Sequence, residues 1–148
     1  MRKGWHTNQK LSIMTLKITL QLDANNHFKP TDGRTLEQLN PKELMLYAAT
    51  DCAGRTIVSM LKEHTASLLL LELSLEGTLS TPTVIAESRF TSFNIIYRAE
   101  CHTLKEQATI SRAINLAHDK YCGLLQMLRK IAPLSHEVSI VSTDDFNG

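Results

Sequence analysis

Asn40-Pro41-Lys42-Glu43-Leu44-Met45-Leu46-Tyr47-Ala48-Ala49-Thr50-Asp51-Cys52 opens as a helix and arrives at a thiol. Asn40 is a good N-cap, Pro41 takes the first helical position where its missing N–H costs nothing, and Glu43 stands at the capping-box position. The pattern predicts a helix from Pro41 to about Glu63. Leu44 to Ala49 is apolar on every side, which suits a buried central helix. Asp51, Arg55 and Lys62 give its later turns one solvated stripe, with Arg55 placed to pair with Asp51.

Upstream, Ser12 to Asp23 alternates, with Met14, Leu16, Ile18, Leu20 and Leu22 on one face and Thr15, Lys17, Thr19 and Gln21 on the other. That period of two marks a half-buried strand. Turns at Asp23 to Asn26 and Pro30 to Gly33 enclose a short second strand around His27 to Lys29. Downstream, Ser67 to Glu76 reads as a strand with Leu71, Leu73 and Leu75 inward, and Gly77 to Pro82 as a loop. Phe93, Ile95, Tyr97, Ala99 and Cys101 share one face of the next strand, expected to pair antiparallel with its predecessor. Thr103-Leu104-Lys105-Glu106 is a capping box that starts a second helix. This helix should bend near Asp119 to Tyr121 and resume as a shorter one from about Cys122 to Ile131, stopping before Pro133. Glu137 to Ser142 closes the chain as a strand with Val138 and Ile140 inward. The class is α+β, with no repeat or linker, so one domain over residues 1–148 is expected.

The chain has 148 residues, 43% hydrophobic and 21% charged, ordinary for one globular core. A net charge of +1 gives no pull towards nucleic acid or anionic lipid. No run is long and apolar enough to span a bilayer. MRKGWHTNQK is basic, but Lys17 breaks the best candidate for an apolar run behind it, so no secretory signal is read and a cytoplasmic protein is expected. Three cysteines in such a compartment do not make a disulfide framework. Each thiol has to be judged by its surroundings.

Cys52, on a helix expected to be buried, packs as an apolar filler unless a nearby cation favours its thiolate; the thiolate is the nucleophile, and such neighbours lower a cysteine pKa to roughly 3.5–7.5. Cys122 lies where a helix restarts, so free N–H groups and Lys120 would favour an anion there; packing beside Leu125 is the alternative. Cys101 reads as an inert thiol on the apolar face of a strand. Glu43 serves the capping box. It is nine residues from Cys52, about 13 Å along one helix, so the two cannot touch within that helix, although contact across a dimer interface is open. His118 and Cys122, four apart, with His64 or Cys52, could be imagined around a metal, but the bend separates them and no metal is expected. Isolated glycines cradle no phosphate, and no cofactor is called for.

Two segments together resemble the OsmC/Ohr family. Pro41 to Cys52 is similar to its P-x-E-x-x-L-x-A-x-x-x-C stretch, and Asp119-Lys120-Tyr121-Cys122-Gly123 to its (E/D)-K-Y-C-(S/P/G) signature ahead of a short amphipathic helix. The likeness covers roughly residues 10 to 142, and the order β–α–β–β–α–α–β agrees. Glu43 lies nine residues before Cys52 rather than the ten of the better-characterised branches, which points to a less characterised OsmC-like branch. Those branches also bring an arginine from the first hairpin, where Ser12 to Asp23 has none, and neither Arg34 nor Arg55 is assigned that role.

The resemblance implies an OsmC-like fold of antiparallel sheets around a long central helix, in an intertwined homodimer with active sites between subunits. It implies an antioxidant role. Cys52 would attack an organic hydroperoxide, Cys122 would resolve the sulfenic acid to a disulfide, and Glu43 would hold an arginine against the thiolate, with a dithiol reductant such as a lipoylated protein restoring the pair. The alternative is a non-enzymatic protein of the same fold that binds a small apolar ligand or partner, or senses redox state.

Overall fold

The computed structural model describes residues 13–62 and 68–144. Ser12, Glu63 and Ser67, the expected outer limits of three elements, lie outside them, as do His64 and the basic stretch 1–10.

The core is one five-stranded sheet with helices on one face. Strands β1 (Thr15–Leu22), β2 (Phe28–Pro30), β3 (Leu68–Leu79), β4 (Phe90–Cys101) and β5 (Leu134–Ser142) lie in the order β2-β1-β3-β4-β5. All neighbours are antiparallel except β4 and β5. Register aligns the alternation of each strand: Ile18 opposes Leu75, Leu20 opposes Leu73, Leu73 opposes Tyr97 and Leu71 opposes Ala99. These side chains are buried on one face. The other face is polar, with Thr19 Oγ1 2.7 Å from Ser74 Oγ and Arg98 Nε 3.3 Å from Glu72 Oε1. A one-residue slip would exchange the two sets, so register is tightly specified.

Helix α1 (Pro41–Met60) packs on β1 and β3. The expected start is present in full: Asn40 Oδ1 accepts from the Glu43 N–H at 2.8 Å, and Glu43 Oε1 accepts from the Asn40 N–H at 3.0 Å. Leu46, Ala49, Ala53 and Ile57 face the sheet. Close approach is needed at Gly54, where a Cβ would meet the Phe28 ring at 2.5 Å. Leu44 and Met45, read as buried, are 38% and 37% exposed in the single chain.

Two further expectations are corrected. Gly77, read as loop, lies inside β3 between Leu16 and Phe93, because the Phe90 ring fills the space where a side chain would stand. The last strand begins at Leu134 rather than Glu137. β5 keeps Val138 and Ile140 in register with the inward-facing Tyr97 and Ala99, as expected, although Val138 at this sheet edge is 37% exposed. Its parallel pairing requires a crossover from β4, supplied by α2 (Leu104–Leu116), a wide turn (Ala117–Tyr121) and α3 (Gly123–Ile131). Among the described residues, no helix is long and apolar enough to cross a membrane.

Candidate active site

Folding brings Cys52 and Cys122, seventy residues apart, to a sulfur–sulfur distance of 3.2 Å. Cys52 is half-buried at mid-α1, and Cys122 is fully buried beneath it. Closing a disulfide from this arrangement needs a shift of about 1 Å.

The bend expected near Asp119 to Tyr121 is a single wide turn in which the Cys122 N–H donates five residues back to the Ala117 carbonyl at 2.9 Å. Cys122 then leaves helical geometry (φ −83°, ψ 104°) and becomes the N-cap of α3. The N–H groups of Leu125 and Leu124 face its sulfur, as a helix start allows. Of the two readings of this position, a helix start that favours the thiolate and a thiol packed beside Leu125, burial favours the second. Burial pushes the Cys122 thiol up to about 12; the Leu125 N–H opposes this, and the neighbouring Cys52 sulfur adds to it. Cys122 is therefore a neutral thiol whose hydrogen is directed at Cys52.

Cys52 forms part of the floor of an open groove of about 840 Å³. Tyr47, Met60, Tyr121 and Leu124 give it apolar walls, and Asp51 and Arg55 a charged edge. Arg55 is the one cation among the described residues lining it. Its Nε lies 2.8 Å from Asp51 Oδ2, while its side chain is 74% exposed, so the pairing anticipated from their spacing is made. An exposed pair of this kind contributes at most about 1 kcal/mol.

Glu43 does not touch Cys52. Beyond its cap, its second oxygen lies 2.9 Å from Arg34 Nη1, while Arg34 Nε lies 2.8 Å from Asp32 Oδ2. The two carboxylates, Glu43 foremost, hold the guanidinium firmly charged. The Arg34 backbone N–H, and then its side chain, hold the Asp32 carboxyl below the usual range. Arg34 sits in a second hollow of about 430 Å³ that shares Tyr47 as a wall with the Cys52 groove. No helical or strand spacing marks Arg34; the only hint was the turn at Asp32-Gly33, which brings it back to the start of α1.

Cys101 is buried as expected, its sulfur 3.5 Å from the Thr103 carbonyl oxygen and 3.7 Å from that of Val141. His118, weighed as a metal ligand with Cys122, turns instead to the Tyr97 hydroxyl, 2.8 Å from its Nδ1. Among the described residues, no group of three or more His, Cys, Asp or Glu could hold a metal.

The chain belongs to the OsmC-like protein family, whose sequence model matches residues 31–137 and so takes in Arg34, Glu43, Cys52 and Cys122. Among curated proteins, the chain is similar to Protein YhfA of Escherichia coli K12, 28% identical over 120 residues that cover 80% of this chain and 87% of the relative. In fold it is similar to a hypothetical protein from Aquifex aeolicus, with TM-score 0.57 and 23% identity over 86% of this chain and 97% of that one. It is also similar to an OsmC-like protein from Mycoplasma pneumoniae, with TM-score 0.55 and 14% identity over 90% and 99%.

Proposed function

We propose that this chain, as a single OsmC-like domain over residues 1–148, is a cytoplasmic thiol peroxidase that reduces organic hydroperoxides. The contact of the Cys52 and Cys122 sulfurs at the floor of an open, largely apolar groove carries the proposal. The Cys52 thiolate attacks the distal peroxide oxygen and the O–O bond breaks. The alkoxide takes up a proton and leaves as alcohol, and Cys52 becomes a sulfenic acid. The Cys122 thiol then displaces the sulfenic hydroxyl, which departs as water with the Cys122 proton, forming the Cys52–Cys122 disulfide. A dithiol such as a lipoylated protein returns both thiols by exchange.

A thiolate and a departing alkoxide both need a cation. Arg34, held by Glu43 and Asp32, is the group suited to supply it. It lines the hollow beside the groove rather than the groove itself, which favours delivery between subunits of a homodimer. The uncovered Leu44 and Met45, on α1 between Glu43 and Cys52, are suited to the interface such a dimer requires.

One observation favours a second reading, a redox sensor or ligand-binding protein: within the single chain, the groove's cation is already paired with Asp51. Titration with cumene hydroperoxide separates the two. One equivalent should consume two thiols and leave a Cys52–Cys122 disulfide visible by mass. If both thiols resist the peroxide and are protonated and inert to alkylation at neutral pH, the enzyme reading fails.

A further inference from the structure

The turn that delivers Cys122 is held from two sides at one residue. His118 lies in Ala117–Tyr121, and its ring, 1% exposed, points into the core with Nδ1 2.8 Å from the Tyr97 hydroxyl on β4. Its backbone carbonyl points the other way and accepts from Arg129 Nη2 at 2.7 Å and Gln126 Nε2 at 3.0 Å, both on α3. Gln126 also reaches the Cys122 carbonyl at 3.3 Å. His136 of β5 stacks on the His118 ring, with centroids 3.9 Å apart. A turn with hydrogen bonds five residues apart is rare, occurs mostly as a single turn and concentrates at functional sites. Here, tertiary contacts hold it at His118 and Cys122.

The His118–Tyr97 bond joins two neutral groups. Burial, followed by the charges of His136 and Arg129, pushes His118 down to about 4, so its ring is neutral at pH 7. Tyr97 is fully buried and keeps its proton, with burial and then the nearby Cys122 opposing its ionisation. Which of them donates is set by the imidazole tautomer, since the hydroxyl can donate to Nδ1 or accept from Nδ1–H. Both partners lie in the core, so deleting either strands the other without solvent.

We propose that Tyr97 and His118 are positioning residues for the sulfur pair: their buried hydrogen bond fixes the wide turn so that Cys122 stands against Cys52. This rests on reading Cys52 and Cys122 as a redox couple, but not on the identity of the oxidant. It can therefore be tested without peroxide. Glutathione disulfide accepts attack by one protein thiol and releases one glutathione; the second protein thiol attacks that mixed disulfide and releases another. One protein S–S bond forms, one glutathione S–S bond is lost, and the two protein protons end on two glutathiones. The equilibrium constant for this exchange measures how well folding presents one sulfur to the other.

The full chain is equilibrated in glutathione buffers, quenched with acid, alkylated and read by mass for the Cys52–Cys122 disulfide. Tyr97→Phe and His118→Leu are expected to lower the closure constant about tenfold, the order expected for a lost buried hydrogen bond. His118→Asn, whose side-chain amide can accept or donate at that position, should stay within about twofold of wild type. Thermal melting of the reduced forms shows which variants fold; Tyr97→Phe removes a single oxygen and decides alone if His118→Leu does not. Closure by Tyr97→Phe with the wild-type constant overturns the proposal, as does an equal loss in His118→Asn and His118→Leu. A wild-type chain that closes its disulfide with glutathione yet ignores hydroperoxide defeats the peroxidase reading and leaves this one intact.

Discussion

Cys101 and Cys122 are equally hidden from solvent, yet their sulfurs face different chemistry. Cys101 ends β4 with its sulfur toward the carbonyl oxygens of Thr103 and Val141 and, at 3.9 Å, the Ser142 hydroxyl. Those oxygens can accept the thiol hydrogen, and the two carbonyls would repel a thiolate. Cys122 begins α3 with its sulfur toward a second sulfur and the N–H groups of a helix start. Burial raises the cost of charging any thiol; the partner within reach decides whether that thiol can still do chemistry. A buried cysteine beside an accessible one suits the resolving role, because it needs to react only with its neighbour.

The sharpest way to break this contrast is to remove the sulfurs one at a time. Cys52→Ser should lower hydroperoxide consumption roughly a thousandfold or more, since no other described thiol opens on the groove. Cys101→Ser should leave the rate unchanged, and a large loss there would overturn the contrast. Cys122→Ser should spare the first turnover but leave Cys52 as a sulfenic acid, trapped by dimedone and driven to the sulfinic state by excess peroxide. In the reduced wild type, iodoacetamide at neutral pH should label Cys52 well before Cys122, whose buried thiol stays protonated.

Much of this contrast was legible in the sequence. β1, β3 and β4 alternate because one face of the sheet is covered by helices and the other is solvated, and a period of two records that difference directly. The α1 cap, Asn40 to Glu43, is local chemistry and reads locally. The start of β5 was misread because, on this edge strand, Ser135 and His136 are exposed alike and show no alternation. The raised thiol of Cys122 stayed undecided for another reason: a helix start is visible in sequence, but the depth at which it is buried depends on α1 and β4. Arg34 and the Tyr97–His118 bond were illegible because each pairing is made in space, across nine and twenty-one residues.

The second comparison is between the two halves of α1, one carrying a charged cluster and the other a thiol. If Arg34 serves Cys52 of the partner subunit, Arg34→Ala should cut peroxidase turnover about a hundredfold, as the loss of one oxyanion donor does. Glu43→Gln keeps the capping geometry but loosens Arg34, and should cost about tenfold. Sedimentation of both variants checks that the dimer persists. Full activity in Arg34→Ala would return the task of stabilising the thiolate to Arg55, despite its pairing with Asp51.

The smallest expected effect concerns stability, and it tests the core beneath Cys122 rather than the groove above it. The groups facing His118 are Tyr97 from β4, His136 from β5, Arg129 from α3 and the adjacent Asp119. Together with burial they leave its pKa at about 4, below the ordinary histidine value of 6.5. Between those two values, the unfolded chain binds a proton that the folded chain refuses, so stability rises with pH across that window. Denaturant melts should therefore show stability lost as pH falls from about 6.5 through about 4, by at most about 3 kcal/mol from this residue. His118→Asn should flatten that part of the profile while retaining a hydrogen-bond partner for Tyr97. An unchanged slope in His118→Asn would mean that the acid sensitivity arises elsewhere and that His118 is not held neutral by its surroundings.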